Sequence, residues 1–382
     1  MKQIKLKGKA IFDGHRFLGP DKVLILDENG VVTGISDDQQ AGEDVIFHDG
    51  ILIPGFVNTH CHLELSHMKN VIPEKTGLPT FLTTVMKQRN TNADQQETAM
   101  EQAAEAMWNA GISAIGDISN GPATIAHKKN SKIYFHTFVE CMGVADAGAE
   151  SRYQYSMDVL RQFETLNGAM HSSSIVPHAP YSVSKTLFDK IANTPDNTPF
   201  SIHNQETAAE NELYATKTGG FLDFYNTFGM DASGFQPTGT GSLEAYLPYF
   251  HLHKIILVHN TFSTATDVQF ARQQSANIWW CLCPQANLYI ENKLPDINLL
   301  REMNCQISIG TDSLASNHQL SVWEEIKTIR RHFPEIPLEE LLQWGTSNGA
   351  EALGIAGTYG SFQPGARPGV VLIHNDMISR LI

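Results

Sequence analysis

The sequence predicts an α/β chain, a (β/α)8 barrel flanked by a small β-sandwich module that both chain ends build. Three observations carry this expectation. The chain has 382 residues, too many for one small domain and suited to a barrel with an appended module. From about residue 51, short apolar runs alternate with stretches of helical periodicity. The first 50 residues instead read as short strands divided by turns, and a similar texture returns near the C-terminus.

Taken in order, residues 4–12, 22–26 and 31–35 alternate apolar and polar side chains as half-buried strands do. Asp27-Glu28-Asn29-Gly30 supplies the turn chemistry for a hairpin between the last two. Eight strands are then expected at residues 51–59, 112–118, 133–140, 174–178, 200–203, 255–259, 277–283 and 306–310. Segments such as 95–110 and 321–332 carry apolar residues at helical spacing between them. Eight strand–helix pairs is the count for a closed parallel barrel, although alternation by itself also fits a doubly wound sheet. After Pro364, Gly365, Pro368 and Gly369, residues 370–373 read as a strand that rejoins the N-terminal module. The expected division is therefore 1–53 and 358–382 for the β module and 54–357 for the barrel.

Composition narrows the function. With 42% hydrophobic and 18% charged residues, the chain can bury a large core. A net charge of -14 argues against a nucleic-acid partner, because phosphate contacts need clustered Lys and Arg. The one basic block, His127-Lys128-Lys129, reads as a solvated loop. Five cysteines, an odd count in a large chain, point to a reduced protein and a cytoplasmic location. Cys281 and Cys283 share one face of a strand, but no second pair completes a zinc ribbon. Residues 1–10 do not read as a signal peptide, and no run approaches the ~18 apolar residues of a membrane helix. The expected partner is a small-molecule substrate, with neither nucleic acid nor membrane, and a homodimer is among the oligomeric states left open.

Four strand ends carry chemistry. His60-Cys61-His62 closes the first expected barrel strand, and residues two apart on a strand point the same way. Two imidazoles so placed can meet one ion at zinc–nitrogen distances of about 2.0–2.1 Å. His203 closes the fifth strand, and Glu206 follows where a carboxylate can reach a metal-activated water and carry its proton. The sixth strand ends in His259 and the eighth in Asp312. A polar residue at a strand end is ordinary when taken alone. Ligand-type residues at four strand ends facing one barrel mouth are not.

The run Pro54-Gly55-Phe56-Val57-Asn58-Thr59-His60-Cys61-His62 resembles the opening motif of the amidohydrolase superfamily. His203-x-x-Glu206 and Gly310-Thr311-Asp312-Ser313-Leu314-Ala315-Ser316-Asn317 resemble the branch of chlorohydrolases and of nucleobase and nucleoside deaminases. Within it, His62-Leu63-Glu64-Leu65-Ser66 and Pro177-His178-Ala179-Pro180-Tyr181-Ser182 look most like aminodeoxyfutalosine deaminases of menaquinone biosynthesis. The resemblance implies His60, His62, His203 and Asp312 as metal ligands. It implies Glu206 as proton shuttle, His259 as the residue holding the attacking hydroxide, and Asp312 as a catalytic group as well. One divalent ion is expected, zinc, with iron or manganese equally suited to three histidines and an aspartate. The strand at 172–178 has no lysine to bridge a second ion.

The implied activity is a metal-dependent deaminase that releases ammonia from an aminopurine nucleoside such as aminodeoxyfutalosine, adenosylhomocysteine or methylthioadenosine. Hydrolysis of another C–N bond or a C–Cl bond, and a non-catalytic metal-binding barrel, are the alternatives. His178 is read as a contact to the substrate ring or a packed strand-end histidine. Glu64 is read as a ligand for a ribose hydroxyl or a solvated carboxylate. His67, His318, Asp117 and Glu140 are read as structural, and Arg89 as part of a solvated helix face. The segment Cys283-Pro284-Gln285-Ala286-Asn287 has Ala286 where relatives more often have Ser, and its role stays open.

Overall fold

A computed structural model describes residues 3–90, 92–275 and 277–382. Its fourteen described strands form three sheets. The chain opens with β1 (Gln3–Ile11), β2 (Lys22–Asp27), β3 (Val32–Asp37) and β4 (Val45–Pro54). It closes with β13 (Val370–His374) and β14 (Met377–Arg380). These six make one sheet in the order β14-β13-β4-β1-β2-β3. The sandwich expected of the chain ends is thus replaced by a single ladder, because β4 takes β1 on one edge and β13 on the other. The returning strand at 370–374 pairs with β4 antiparallel, Val370 opposite Pro54.

The eight central strands form two four-stranded parallel sheets. The first holds β5 (Phe56–Cys61), β6 (Ile112–Ser119), β7 (Tyr134–Cys141) and β8 (His171–Pro177). The second holds β9 (Phe200–Asn204), β10 (Ile255–His259), β11 (Ile278–Leu282) and β12 (Gln306–Ile309). Strands β5, β6, β7, β9, β10 and β11 are buried at every position, as parallel strands covered on both faces must be. The sheets touch at both margins. Across one, His203 N donates to His178 O at 3.0 Å. Across the other, Thr311 N and Asp312 N donate to His60 O at 2.9 and 3.1 Å, and Cys61 bridges Asp312 in parallel.

The strand expected at residues 51–59 is in fact two. Residues 51–54 end β4 in the terminal sheet, and β5 begins at Phe56 in the parallel sheet. The break falls at Gly55, where any side chain would collide with Ser113 and with the Pro368 carbonyl. Pro54-Gly55 therefore steers the chain from one sheet into the other.

Two apolar clusters matter for the site. One fills and surrounds the parallel sheets. The other lies over the C-terminal strand ends, where Leu78, Phe81 and Val85 of the helix Leu78–Gln88 meet Phe221, Phe224 and Tyr225 of the helix Gly220–Thr227. This second cluster forms a roof. Among the described residues, no helix is long and apolar enough to cross a membrane.

Candidate active site

His60 stands on β5 and His62 one residue beyond its end. Their Nε2 atoms lie 3.1 Å apart, and His62 Nε2 is also 3.3 Å from His203 Nε2. Asp312 Oδ1 is 3.3 Å from His62 Nε2 and 3.6 Å from His60 Nε2. Donors about 2.1 Å from a common tetrahedral centre lie roughly 3.4 Å from one another. Four separations of 3.1–3.6 Å therefore fit one small cation. Donor atoms of His60, His203, His259 and Asp312 also lie within 4.8 Å of one another. All five predicted residues converge, from β5, β9, β10 and the residues just after β5 and β12.

Backbone and neighbours fix the donors. A carbonyl can only accept, so His203 Nδ1 donates to His178 O at 2.8 Å and Nε2 is left bare toward the cluster. Ser316 Oγ donates to Asp312 Oδ2 at 2.5 Å, which turns Oδ1 toward the histidines. Asp312 and His259 take φ of 56° and 75°, a left-handed backbone that costs a residue with a side chain about 1–3 kcal/mol. At Gly310 a Cβ would lie 2.8 Å from His60 Cβ and 2.9 Å from Cys281 Sγ. Only glycine lets the end of β12 approach His60 so closely.

The block His127-Lys128-Lys129 is not a solvated loop. Residues 125–129 form a helix, and Lys128 is buried with its Nζ 2.6 Å from Asp117 Oδ2. Asp117 Oδ1 accepts from Leu63 N at 2.8 Å, so this buried pair anchors the chain just beyond His62.

Electrostatics favour ligand-ready side chains. Burial, aided by neighbouring histidines, drives the His60 and His62 pKa values well below the usual imidazole range, so both are neutral. Burial opposes the charge on Asp312, but His62, His259 and the Ser316 hydroxyl outweigh it and hold the carboxylate below its ordinary pKa. Burial, with the Asp312 charge second, raises Glu206 well above the carboxylate range. Its Oε1 lies 3.6 Å from His259 Nε2, and burial lowers His259 as well. Burial pushes both groups toward their neutral forms, which works against an ion pair here.

These residues floor a cavity of about 670 Å³. His178 and Glu64 both line it. His178 Nδ1 is 2.7 Å from Ser182 Oγ, and burial holds the ring neutral. Glu64 is engaged rather than solvated: Arg89 Nη2 lies 2.9 Å from Oε1 and Asn120 N donates to Oε2 at 3.0 Å. Arg89 accordingly belongs to the cavity wall and not to a solvated helix face.

Glu140, read from the sequence as structural, also lines the cavity. Its Oε1 is 3.5 Å from His203 Nδ1, Oε2 accepts from Asn120 Nδ2 at 2.9 Å, and burial pushes its pKa to about 8. Asn287 was missed too, and its Nδ2 reaches Thr261 Oγ1 at 2.5 Å and His259 Nδ1 at 3.4 Å. Nothing in local spacing marks either role, because each partner comes from another strand. His67 and His318 lie outside the cluster, with His67 Nε2 2.8 Å from the Arg89 carbonyl and His318 against Glu74.

Residues 51–380 match the amidohydrolase family. The chain belongs to that family. This amidohydrolase is 25% identical over 362 residues to an adenosine deaminase of Helicobacter pylori, covering 89% of the chain and 86% of the relative. It is 24% identical over 318 residues to an aminodeoxyfutalosine deaminase of Nitratiruptor sp., covering 81% and 76%. The crystal structure of H. pylori aminofutalosine deaminase in complex with methylthio-coformycin superposes with a TM-score of 0.84 at 22% identity, covering 97% of this amidohydrolase and 92% of that chain. Guanine deaminase from C. acetobutylicum superposes at 0.75 and 16% identity, covering 98% and 91%. At such identities the superpositions establish a shared fold.

Proposed function

We propose that this amidohydrolase is a single-metal aminohydrolase that releases ammonia from an aminopurine nucleoside, aminodeoxyfutalosine being the first candidate. The observation that carries the reading is the meeting of His60, His62, His203 and Asp312 around one point, with Glu206 and His259 beside it. The names of the two relatives support a nucleoside. The two parallel sheets, hydrogen-bonded at both margins, support a (β/α)8 barrel over residues 54–357, with 1–53 and 358–382 as the flanking module. Five free thiols fit a reducing, cytoplasmic setting.

His60, His62, His203 and Asp312 would hold the ion, zinc being the first choice and iron or manganese also suited. A divalent ion there supplies Lewis acidity and makes water nucleophilic at neutral pH. His259 Nε2, buried with no hydrogen-bond partner among the described residues, is placed to orient that water. Glu206 delivers one proton to the ring nitrogen next to the attacked carbon, and Asp312 accepts the proton the water gives up. A second proton passes to the exocyclic amine, the C–N bond breaks, and ammonia leaves while the water oxygen stays as a carbonyl. His178 faces the ring, and Glu64 meets a ribose hydroxyl from the wall that Arg89 and Asn120 hold.

The test is a panel of adenosine-type nucleosides given to metal-loaded protein, read by ammonia release and by the ultraviolet shift from aminopurine to oxopurine. Turnover of at least one nucleoside is expected. Silence across the panel, with release from a pyrimidine or a chlorinated triazine instead, would overturn the substrate class while leaving the site intact.

A further inference from the structure

Glu325 is fully buried in the first turn of the helix Val322–His332, away from the cavity, and it takes no part in the steps above. Its two oxygens reach two different strand-end loops. Oε2 accepts from Gln285 N at 2.9 Å, in the first turn of the helix Pro284–Glu291 that follows β11. Oε1 accepts from Asn317 Nδ2 at 2.8 Å, in the loop that follows β12.

Each loop continues to a site residue. Asn317 Nδ2 spends its other hydrogen on Thr311 O at 2.9 Å, the carbonyl immediately before Asp312. The neighbouring Ser316 holds Asp312 Oδ2. On the other arm, the helix that Gln285 opens carries Asn287, whose Nδ2 reaches Thr261 Oγ1 and His259 Nδ1. The segment from Cys283 to Asn287, left without a role by the sequence, is the link between Glu325 and His259.

We infer that Glu325 is a positioning residue, one carboxyl that clasps the loops after β11 and β12 and so fixes Asp312 and His259 relative to each other. This rests on the roles given to those two residues above. The two residues so fixed, Asp312 in the loop after β12 and His259 at the end of β10, both have strained backbone, and a strained conformation persists only where surrounding bonds over-determine it. Removing the carboxyl strands a buried N–H on each loop, which is costly at both ends. Groups bonded directly to metal ligands typically govern affinity or activity by about 10- to 100-fold, and Glu325, one step further out, is expected near the low end of that range.

The experiment compares Glu325→Ala, Glu325→Gln, Asn317→Ala and Asn287→Ala in the full chain. Zinc affinity is measured by competition with a chromophoric chelator, and kcat and KM are measured on a turned-over nucleoside. Glu325→Ala is expected to weaken zinc binding and kcat each by about 10-fold or more with KM little changed. Glu325→Gln keeps one acceptor and should fall between it and the parent. Asn317→Ala should lower zinc affinity, while Asn287→Ala should lower kcat with zinc affinity unchanged. A folded Glu325→Ala protein with parental zinc affinity and kcat, merely melting earlier, would reduce Glu325 to a structural role and overturn the inference. Identical profiles for Asn317→Ala and Asn287→Ala would overturn it too, and that pair decides the matter if Glu325→Ala does not fold. Zinc titration needs no turnover, so a wrong substrate class would leave this arm standing.

Discussion

At the floor of the cavity, five donor side chains stand on strand ends or within three residues of them, and His203, His259 and Asp312 are each tied by a hydrogen bond to a neighbour. At the roof, two helices meet through Leu78, Phe81, Val85, Phe221, Phe224 and Tyr225, with polar ties at Tyr225 Oη, which donates to Tyr181 O, and at Leu78 N, which donates to Glu291 Oε1. The floor is specified by direction and charge, the roof mainly by volume. Direction is intolerant of change, because a ligand displaced by an ångström no longer binds, whereas apolar volume can be refilled in several ways. A change on the floor is therefore expected to strike turnover, and a change at the roof to strike substrate binding.

The largest effect that would sharpen this contrast comes from Glu206→Gln. Loss of its proton transfer should lower kcat by about 10²- to 10⁴-fold with zinc content unchanged. Near-parental kcat in this variant would remove Glu206 from the reaction. At the roof, Phe221 is fully buried and stacks on Tyr181 with ring centroids 4.1 Å apart. Phe221→Ala should cost about 3 kcal/mol or more in chemical denaturation and raise KM more than it lowers kcat. If kcat fell as steeply as for Glu206→Gln, the division between floor and roof would fail.

Between the two regions lies Glu210, on the helix Ala208–Thr216, with its pKa pushed to about 7 by burial. The folded chain keeps a proton there that the unfolded chain releases near 4.5. Stability should accordingly fall as pH rises from about 4.5 to 7 and level off above, by up to roughly 3 kcal/mol. Oε1 accepts from both Gln205 N and Ser242 Oγ, so a glutamine can keep both bonds. Glu210→Gln should flatten this part of the pH–stability curve, and a parental slope in the variant would assign it to another group. The smallest effect is expected of Arg89→Met. Arg89 is partly exposed, so its pair with Glu64 should be worth under about 1 kcal/mol of stability. KM should nevertheless rise, because Glu64 loses the cation that holds it in place, and an unchanged KM would detach Glu64 from substrate binding.

The floor was legible in the sequence for a physical reason. Strand periodicity places His60 and His62 on one side, and an apolar run that stops at a histidine or aspartate marks where a strand reaches the mouth. The expected strand at 255–259 coincides with β10, and those at 112–118 and 200–203 differ from β6 and β9 by one residue. What stayed hidden depends on partners distant in sequence. Lys128 looks solvated until Asp117 is seen beside it, and Glu140 looks structural until β7 and β9 bring it to His203. Glu325 joins residues 285 and 317, and no local pattern announces a carboxyl that serves two loops at once. The terminal strands misled by adjacency, since β4 and β5 read as one run although Gly55 sends them to different sheets.

The margin where Cys61 meets Asp312 also sets a schedule for synthesis. His60 and His62 leave the ribosome early and His203 midway, but the only anionic member of the set follows more than a hundred residues later. A nascent or truncated chain ending at Cys305 carries three imidazoles and no carboxylate to complete them, and should bind zinc far more weakly than the whole protein. Zinc retained by the whole protein and lost from that truncated chain, on competition with a chelator, would place metal capture late in maturation.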